Sequence, residues 1–252
     1  MGQATGDDGH VPRLVVLPLR QTAGMPDPVR DSTSRVRWLG RLGVLLVAAG
    51  IGVGAYVAWQ VWGTNVVAQR THRALVEDVE RAWARAGAAP GRAVATDEGD
   101  VSAIVRIPRF GDDYAVPLLE GTGDDVLAAG FGRFTSGAEP GARGNLAVAA
   151  HRVTHGEPLR RMPELEPGDE VVVETEQWTY TYVLDTGGDD LTVPFTAGWV
   201  LDDLPENPDG GVQADAAAGR RLLTLTTCSE LFHTEDRLVA FGHLASKEPT
   251  GR

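Results

Sequence analysis

The only cysteine of this 252-residue chain, Cys228, stands where a strand pattern gives way to a loop. Residues 223–226, just before it, alternate between apolar and polar side chains, as a half-buried strand does. Arg237 opens a second apolar run shortly afterwards, and His151 directly follows a third, residues 145–150. A thiol, an imidazole and a guanidinium at neighbouring strand ends would supply a nucleophile, an acid/base and an anion stabiliser.

Each of these residues also has a purely structural interpretation. A free cysteine is more often a small buried apolar residue than a nucleophile. A single histidine is more often a surface or capping residue, and Arg237 by itself reads as a surface charge. The three positions taken together, and a lone thiol in a domain predicted to lie outside the cytoplasm, favour a reactive role.

The elements that must position these residues are predicted to be short strands separated by turn signals. Two single helical turns and one long loop interrupt them, the loop covering residues 192–219 just before the cysteine strand. Many short strands without long helices are typical of an all-β fold that closes, or nearly closes, into a barrel. The predicted strands are residues 103–107, 115–117, 146–150, 170–174, 179–184, 222–227 and 238–244, and the helical turns are 126–129 and 159–165.

Residues 42–62 form an apolar run of 21 residues in which Gln60 is the one strongly polar member. At 1.5 Å per residue this run spans about 30 Å, the thickness of the hydrocarbon core of a bilayer. A core helix is the alternative, but no other segment is long enough to bury it on all sides. Four arginines precede the run closely (Arg30, Arg35, Arg37 and Arg41) and two follow it (Arg70 and Arg73), which favours an N-terminus inside the cell.

The part of the chain from residue 100 onward carries 26 acidic and 12 basic residues. Such an acidic surface argues against a nucleic-acid partner, which requires a basic face. One cysteine cannot form an internal disulfide. His151 and His155 have the spacing of a helical zinc site, but they follow a strand and lack an acidic third ligand, so no metal or cofactor is expected.

The predicted organisation has five segments. A disordered cytoplasmic tail (1–38) leads into a single transmembrane helix (39–62). A stalk helix with a linker (63–98) then leads outside the cell to a catalytic domain (99–247) and a short C-terminal tail (248–252).

The domain resembles the sortases, membrane-anchored cysteine transpeptidases of Gram-positive bacteria, and most closely those of class E. The resemblance spans residues 101–244, where the matching motifs occur in the family's order. They are Ile107-Pro108-Arg109, Glu120-Gly121-Thr122, Pro140-Gly141, His151-Arg152-Val153-Thr154-His155-Gly156, Pro167-Gly168-Asp169, Leu223-Thr224-Leu225-Thr226-Thr227-Cys228 and Arg237-Leu238-Val239-Ala240-Phe241.

This resemblance implies an eight-stranded β-barrel and a catalytic set of Cys228, His151 and Arg237. It also implies that secreted proteins carrying a Leu-Ala-x-Thr-Gly-like or Leu-Pro-x-Thr-Gly-like sorting motif are joined to an amine of peptidoglycan or its precursor. The residues expected to contact the substrate are Ala150, His155, Thr227 and Glu230.

Three departures from the family's pattern bear on activity. Glu230 stands where proline is usual, Ala150 where glycine is common, and Phe134-Thr135-Ser136-Gly137 where an aromatic residue and Pro-Gly-Thr are common. A carboxylate near the nucleophile disfavours the thiolate. Two alternatives therefore stay open: a catalytically weak sortase-like module that binds substrate at the membrane, and a thiol hydrolase that uses water as the acceptor.

Overall fold

The computed structural model describes residues 32–59, 64–85, 93–215, 219–228 and 235–251. These ranges contain three α-helices, which are α1 (Ser32–Ala58), α2 (Thr64–Ala84) and α3 (Asp124–Ala129). They also contain ten strands, which are β1 (Val94–Thr96), β2 (Gly99–Arg106), β3 (Val116–Glu120), β4 (Phe131–Arg133), β5 (Gly144–Ala149), β6 (Glu170–Glu174), β7 (Trp178–Leu184), β8 (Leu191–Pro194), β9 (Arg221–Cys228) and β10 (Asp236–Pro249).

Eight of these strands form a closed ring, which confirms the predicted barrel. The order around the ring is β2-β3-β4-β5-β9-β10-β7-β6, and β6 pairs with β2 to close it. The β3/β4 and β5/β9 pairs are parallel, and the other pairs of the ring are antiparallel. Closure leaves no free edge among the eight strands. The two strands outside the ring, β1 and β8, pair with β2 and β10.

The barrel core follows from alternation along the strands. In β7 the side chains of Tyr180, Tyr182 and Leu184 are buried, whereas those between them are partly exposed. In β5 nearly every residue is buried, because this strand is covered on both faces. The hydroxyl oxygen of Tyr182 accepts a hydrogen bond of 2.8 Å from the backbone N–H of Gly141, which satisfies the polar end of this buried ring.

Three strands were not predicted from the sequence. β1 and β4 have three residues each and β8 has four, which is too short for an alternating pattern to stand out. β8 lies in the segment predicted as a long loop. Its residues Leu191 and Val193 are buried against Val239 and Phe241 in a cluster beside the main core.

The predicted stalk helix is α2, and it is not a free-standing spacer. Its apolar stripe, Leu75, Val76, Val79 and Trp83, packs against barrel residues that include Val101, Ile104 and Leu119. Val79 is fully buried. An ion pair of 3.0 Å between Glu80 of α2 and Arg106 of β2 adds a polar contact at the margin. The sequence showed the helical spacing but not the surface that the stripe covers.

The helix α1 contains the predicted apolar span. Its stretch Arg37–Val57 is 21 residues long and, by length and composition, is able to cross a membrane. None of that stretch is buried against other parts of the protein. The helix begins at Ser32, inside the segment predicted as a tail, and residues 60–62 of the predicted span lie outside the described residues.

His72 of α2 gives the fold a defined acid sensitivity. Burial lowers the pKa of His72 to about 4 from 6.5, against a smaller opposing effect of the Ala128 carbonyl. Between these two pH values the unfolded chain binds a proton that the folded chain excludes, so folding stability falls as the pH is lowered through this range.

We expect His72 to account for about 3 kcal/mol of stability lost between pH 7 and pH 4. The measurement is chemical unfolding of the full chain in mild detergent, with wild type and His72→Gln compared at both pH values. The variant should lose correspondingly less stability on acidification. Parallel pH dependences for the two proteins would contradict the assignment.

Candidate active site

The pairing of β9 with β10 brings two of the predicted residues opposite each other. Cys228 is the last residue of β9 and is the direct Cα partner of Arg237 in β10. Opposed residues of an antiparallel pair have Cα atoms on the order of 5 Å apart. Arg237 is in turn the partner of Val193 in β8, so it lies between the cysteine strand and β8.

The pairing of β5 with β9 brings in the third residue. These strands run parallel, with Ala149 opposite Thr226. His151 follows the end of β5 by two residues, and Cys228 is two residues beyond Thr226, so both lie at the same end of the barrel. Three adjacent strands, β5, β9 and β10, thus bring the predicted cysteine, histidine and arginine positions to one rim.

Side chain and backbone hydrogen bonds hold the two parallel strand ends together. The Thr227 hydroxyl donates a 2.7 Å hydrogen bond to the carbonyl of Ala150. The backbone N–H of Ala150 donates to the Thr226 carbonyl at 3.3 Å. Ala150 and Thr227 are both almost completely buried. Ala150 directly precedes His151 and Thr227 directly precedes Cys228, so these hydrogen bonds hold the backbone next to both residues. Ala150 and Thr227 also line the cavity at this rim.

That cavity has a volume of about 460 Å³. His151 and Arg237 line it, together with Asp124 of α3 and a mainly apolar set of side chains. Phe195, just after β8, is 64% exposed at its edge, although it is a large apolar residue. The larger apolar side chains of the lining are Leu127, Phe134, Val193, Phe195, Val200 and Leu201.

His151 is half-buried, and its surroundings disfavour the charged ring. Burial lowers the pKa of His151, electrostatic repulsion from the neighbouring His155 ring lowers it further, and the carboxylate of Asp124 acts in the opposite direction. The rings of His151 and His155 are stacked, with centroids 4.8 Å apart and planes inclined by 29°. A lowered pKa makes the protonated ring a stronger acid and leaves a smaller fraction of His151 protonated near neutral pH.

Arg237 is half-buried beside the cavity. One of its terminal nitrogens, Nη1, donates a 3.0 Å hydrogen bond to the carbonyl of Asp236. A guanidinium at the mouth of a partly apolar cavity is suited to bind carbonyl oxygens or a developing oxyanion.

The other residues expected at the site have different outcomes. Ala150 and Thr227 contribute to the cavity wall. His155 lies against the ring of His151. Glu230 lies outside the described residues, as does the side chain of Cys228, whose backbone position alone is described. Within the described residues, no cluster of three or more histidine, cysteine and acidic side chains is arranged to hold a metal ion.

Sequence reasoning missed Asp124, which influences His151 from the first turn of α3. It also missed Asn65 of α2, which hydrogen-bonds to the loop after His151. An acidic pair before a predicted helical turn was the only signal for Asp124. Nothing in the sequence around Asn65 indicated its partners, which are about ninety positions away.

Comparisons with known proteins identify the family of this chain. A family model described as the sortase domain matches residues 105–245. Sortase SrtE1 of Streptomyces coelicolor is 31% identical over a match that covers 84% of this chain and 58% of that relative's length. Sortase SrtE2 of the same organism is 28% identical, and the match covers 82% of each chain.

A solved structure leads to the same family. The structure of sortase E from Streptomyces avermitilis aligns with a TM-score of 0.51 and 38% identity, over 61% of this chain and 93% of that one. The chain therefore belongs to the sortase family, whose members are cysteine transpeptidases, and its relatives place it with the class E sortases.

Proposed function

We propose that this chain is a membrane-anchored class E transpeptidase that cleaves a C-terminal sorting motif and joins the acyl part to an amine of the cell wall. The observation that carries the proposal is the strand register, which sets Cys228 opposite Arg237 and places Cys228 and His151 each two residues beyond the Thr226–Ala149 pair. Family membership supplies the reaction class.

In the first half of the reaction, the thiolate of Cys228 attacks the carbonyl carbon of the scissile peptide bond. Arg237 stabilises the negative charge on the carbonyl oxygen or holds neighbouring substrate carbonyls. His151 donates its proton to the leaving amine as the C–N bond breaks. The products of this half are a thioester on Cys228, a neutral His151 and a released C-terminal peptide.

In the second half, an incoming amine attacks the thioester carbonyl. Neutral His151 accepts a proton from that amine, the C–S bond breaks, and the thiolate is regenerated. One amide bond is broken in the first half and one is formed in the second, so the reaction consumes neither an oxidant nor a cofactor. The depressed pKa of His151 assists this half, in which the ring starts neutral, and limits the first half, which requires its proton.

The cavity supports a peptide substrate with small apolar side chains. Val193 and Val200 line it on the β8 side, and exposed Phe195 offers an aromatic contact at the edge. A Leu-Ala-x-Thr-Gly sorting motif presents leucine and alanine side chains that bury apolar area against such a wall. Thr227 and Ala150 line the same cavity beside the strand ends, and we expect them to contact the substrate residues nearest the scissile bond.

The location proposed for the reaction is supported by the length and composition of α1. An apolar helix of this length anchors the chain in a membrane, and the arginines before it favour an N-terminus inside the cell. The barrel then lies on the outer side, where secreted proteins and the amine acceptor of a peptidoglycan precursor are available.

Cys228→Ala should abolish transpeptidation, since no other thiol exists in the chain. The measurement is incubation of the full chain in detergent with Leu-Ala-x-Thr-Gly peptides, with and without an amine acceptor, followed by mass spectrometry. Thermal unfolding of both proteins controls for folding. Turnover by the alanine variant would contradict the cysteine mechanism.

The same assay separates the two alternatives. Peptide binding without turnover by wild type favours the catalytically weak module, for which Glu230 near the nucleophile is the motivating feature. Cleavage that is unaffected by an amine acceptor favours the hydrolase.

His151→Ala should reduce turnover about 10²- to 10⁴-fold, the usual contribution of an acid/base group. His155→Ala should reduce it less, because His155 supports the His151 ring by stacking but does not itself line the cavity. Peptide turnover near neutral pH is the measurement for both. A reversed order of severity would assign the acid/base role to His155.

Arg237→Lys should lower kcat by about tenfold or more, because a compact ammonium does not reproduce the planar fork of a guanidinium. Arg109→Lys is the matched control, since Arg109 forms an ion pair with Asp169 at 2.8 Å and does not line the cavity. Equal kcat values for the two variants would show that Arg237 contributes charge alone.

A further inference from the structure

The beginning of α2 is hydrogen-bonded to the loop that follows His151. Asn65, which is 7% exposed, donates through Nδ2 to Oε1 of Glu157 at 2.7 Å and to the carbonyl of Val153 at 3.4 Å. Its Oδ1 accepts a hydrogen bond of 3.1 Å from the backbone N–H of Gly156. A single side chain thus contacts three positions of the segment 151–157, which we call the histidine loop.

The histidine loop has a backbone that few sequences adopt unaided. His155 and Glu157 have positive φ values of 52° and 53°, and they are the only non-glycine residues with positive φ among the described residues. Left-handed conformations of this kind are unfavourable for residues with a Cβ and persist when the surroundings hold them. Asn65 supplies bonds on both sides of His155.

α2 also fits the loop sterically. Gly156 has a φ of 82°, and a Cβ added there would lie 2.7 Å from Cε1 of His72. Glycine is therefore required for the loop to approach α2 this closely. The carboxylate of Glu157 accepts the Asn65 hydrogen bond through Oε1 and forms an ion pair with Arg160 through Oε2, at 2.5 Å. The histidine loop thus contacts α2 on one side and is linked through Glu157 to Arg160, shortly after the loop, on the other.

The conformation of the loop determines the surroundings of His151. His155 stacks on His151 with its own backbone in the left-handed conformation. On the other side, the His151 carbonyl accepts a hydrogen bond of 3.0 Å from the N–H of Leu159. Among the described side chains, the charged and titratable groups that face His151 include His155 on the same loop, Asp124 of α3 and Arg237 of β10, which lines the same cavity.

We propose that Asn65 is a positioning residue for His151: its hydrogen bonds to the histidine loop hold His155 against the His151 ring and so fix the orientation of that ring for proton transfer. The inference rests on the acid/base role given to His151 under the proposed function. It assigns to α2, the helix that follows the apolar span, a direct part in the geometry of the site.

The test uses the full chain in detergent micelles and four variants. Asn65→Ala removes all three hydrogen bonds. Asn65→Asp keeps an acceptor for the Gly156 N–H but sets a carboxylate against Glu157. In the double variant N65D/E157Q, the amide introduced at position 157 of the loop can donate a hydrogen bond to the carboxylate introduced at position 65. Gln69→Ala, one turn further along α2 at an exposed position, is the matched control.

Two readouts are recorded for each variant. One is kcat and KM for peptide cleavage, and the other is the ring titration of His151, followed by NMR on histidine-labelled protein and assigned with His151→Gln.

We expect kcat to fall roughly 10- to 100-fold in N65A and N65D with KM changed less than about twofold, because a small misplacement of a catalytic group is costly. The titration of His151 should move to higher pH as the ring gains solvent and loses His155. N65D/E157Q should recover most of kcat, and Gln69→Ala should match wild type.

The proposal would be overturned if N65A showed the same His151 titration and the same kcat as wild type. It would also be overturned if N65A differed from wild type only by a higher KM. If N65A fails to unfold cooperatively, the comparison of N65D with N65D/E157Q decides, and equal behaviour of these two overturns the proposal. The titration does not depend on turnover. If wild type itself lacks turnover, the proposed function fails, while an unshifted His151 titration in N65A is the separate result that removes the role of Asn65.

Discussion

The active-site rim depends on the register of three adjacent strands, β5, β9 and β10. Because successive side chains of a strand point to opposite faces, a slip of one residue in β9 would move Cys228 out of line with both its neighbours and turn its apolar residues away from the core. Leu223 and Leu225 of β9 lie in the main core, so such a slip would replace them there with the polar side chains of neighbouring threonines. Burial of the core thus enforces the same alignment that the chemistry requires.

A buried polar network strengthens this register. Asn145 of β5 is completely buried, and its side chain donates to the carbonyls of Val200 and Asp202 at 3.1 Å each. The hydroxyl of Thr224 in β9 donates to Asn145 Oδ1 at 2.9 Å. Buried polar groups of this kind are costly unless their partners are all in place. The network therefore joins β5 and β9 to the segment that forms one wall of the cavity, so the strand alignment and the wall depend on each other.

Parts of this arrangement were predictable from the sequence because they are local. Alternating residues before Cys228, an apolar run before His151 and another after Arg237 indicate three strand ends, and the resemblance to sortases supplied the barrel that joins them. β8, the docking of α2 and the contacts of Asp124 and Asn65 were not predictable, because each depends on partners distant in the chain. Asn65 in a helix of ordinary pattern gives no sign that its side chain hydrogen-bonds to a loop about ninety positions away. The contribution of Glu230 stays a prediction, since that residue lies outside the described ranges.

The most direct test of the cysteine mechanism is capture of the acyl-enzyme. Wild-type full chain is incubated with a Leu-Ala-x-Thr-Gly peptide in the absence of an amine acceptor, quenched in acid, and mapped by tandem mass spectrometry. The predicted result is an adduct with the mass of the peptide up to its threonine, carried by Cys228 as a thioester and discharged when an amine is added. Cleavage of the peptide without an adduct on Cys228, or with the acyl group on another residue, would contradict the mechanism.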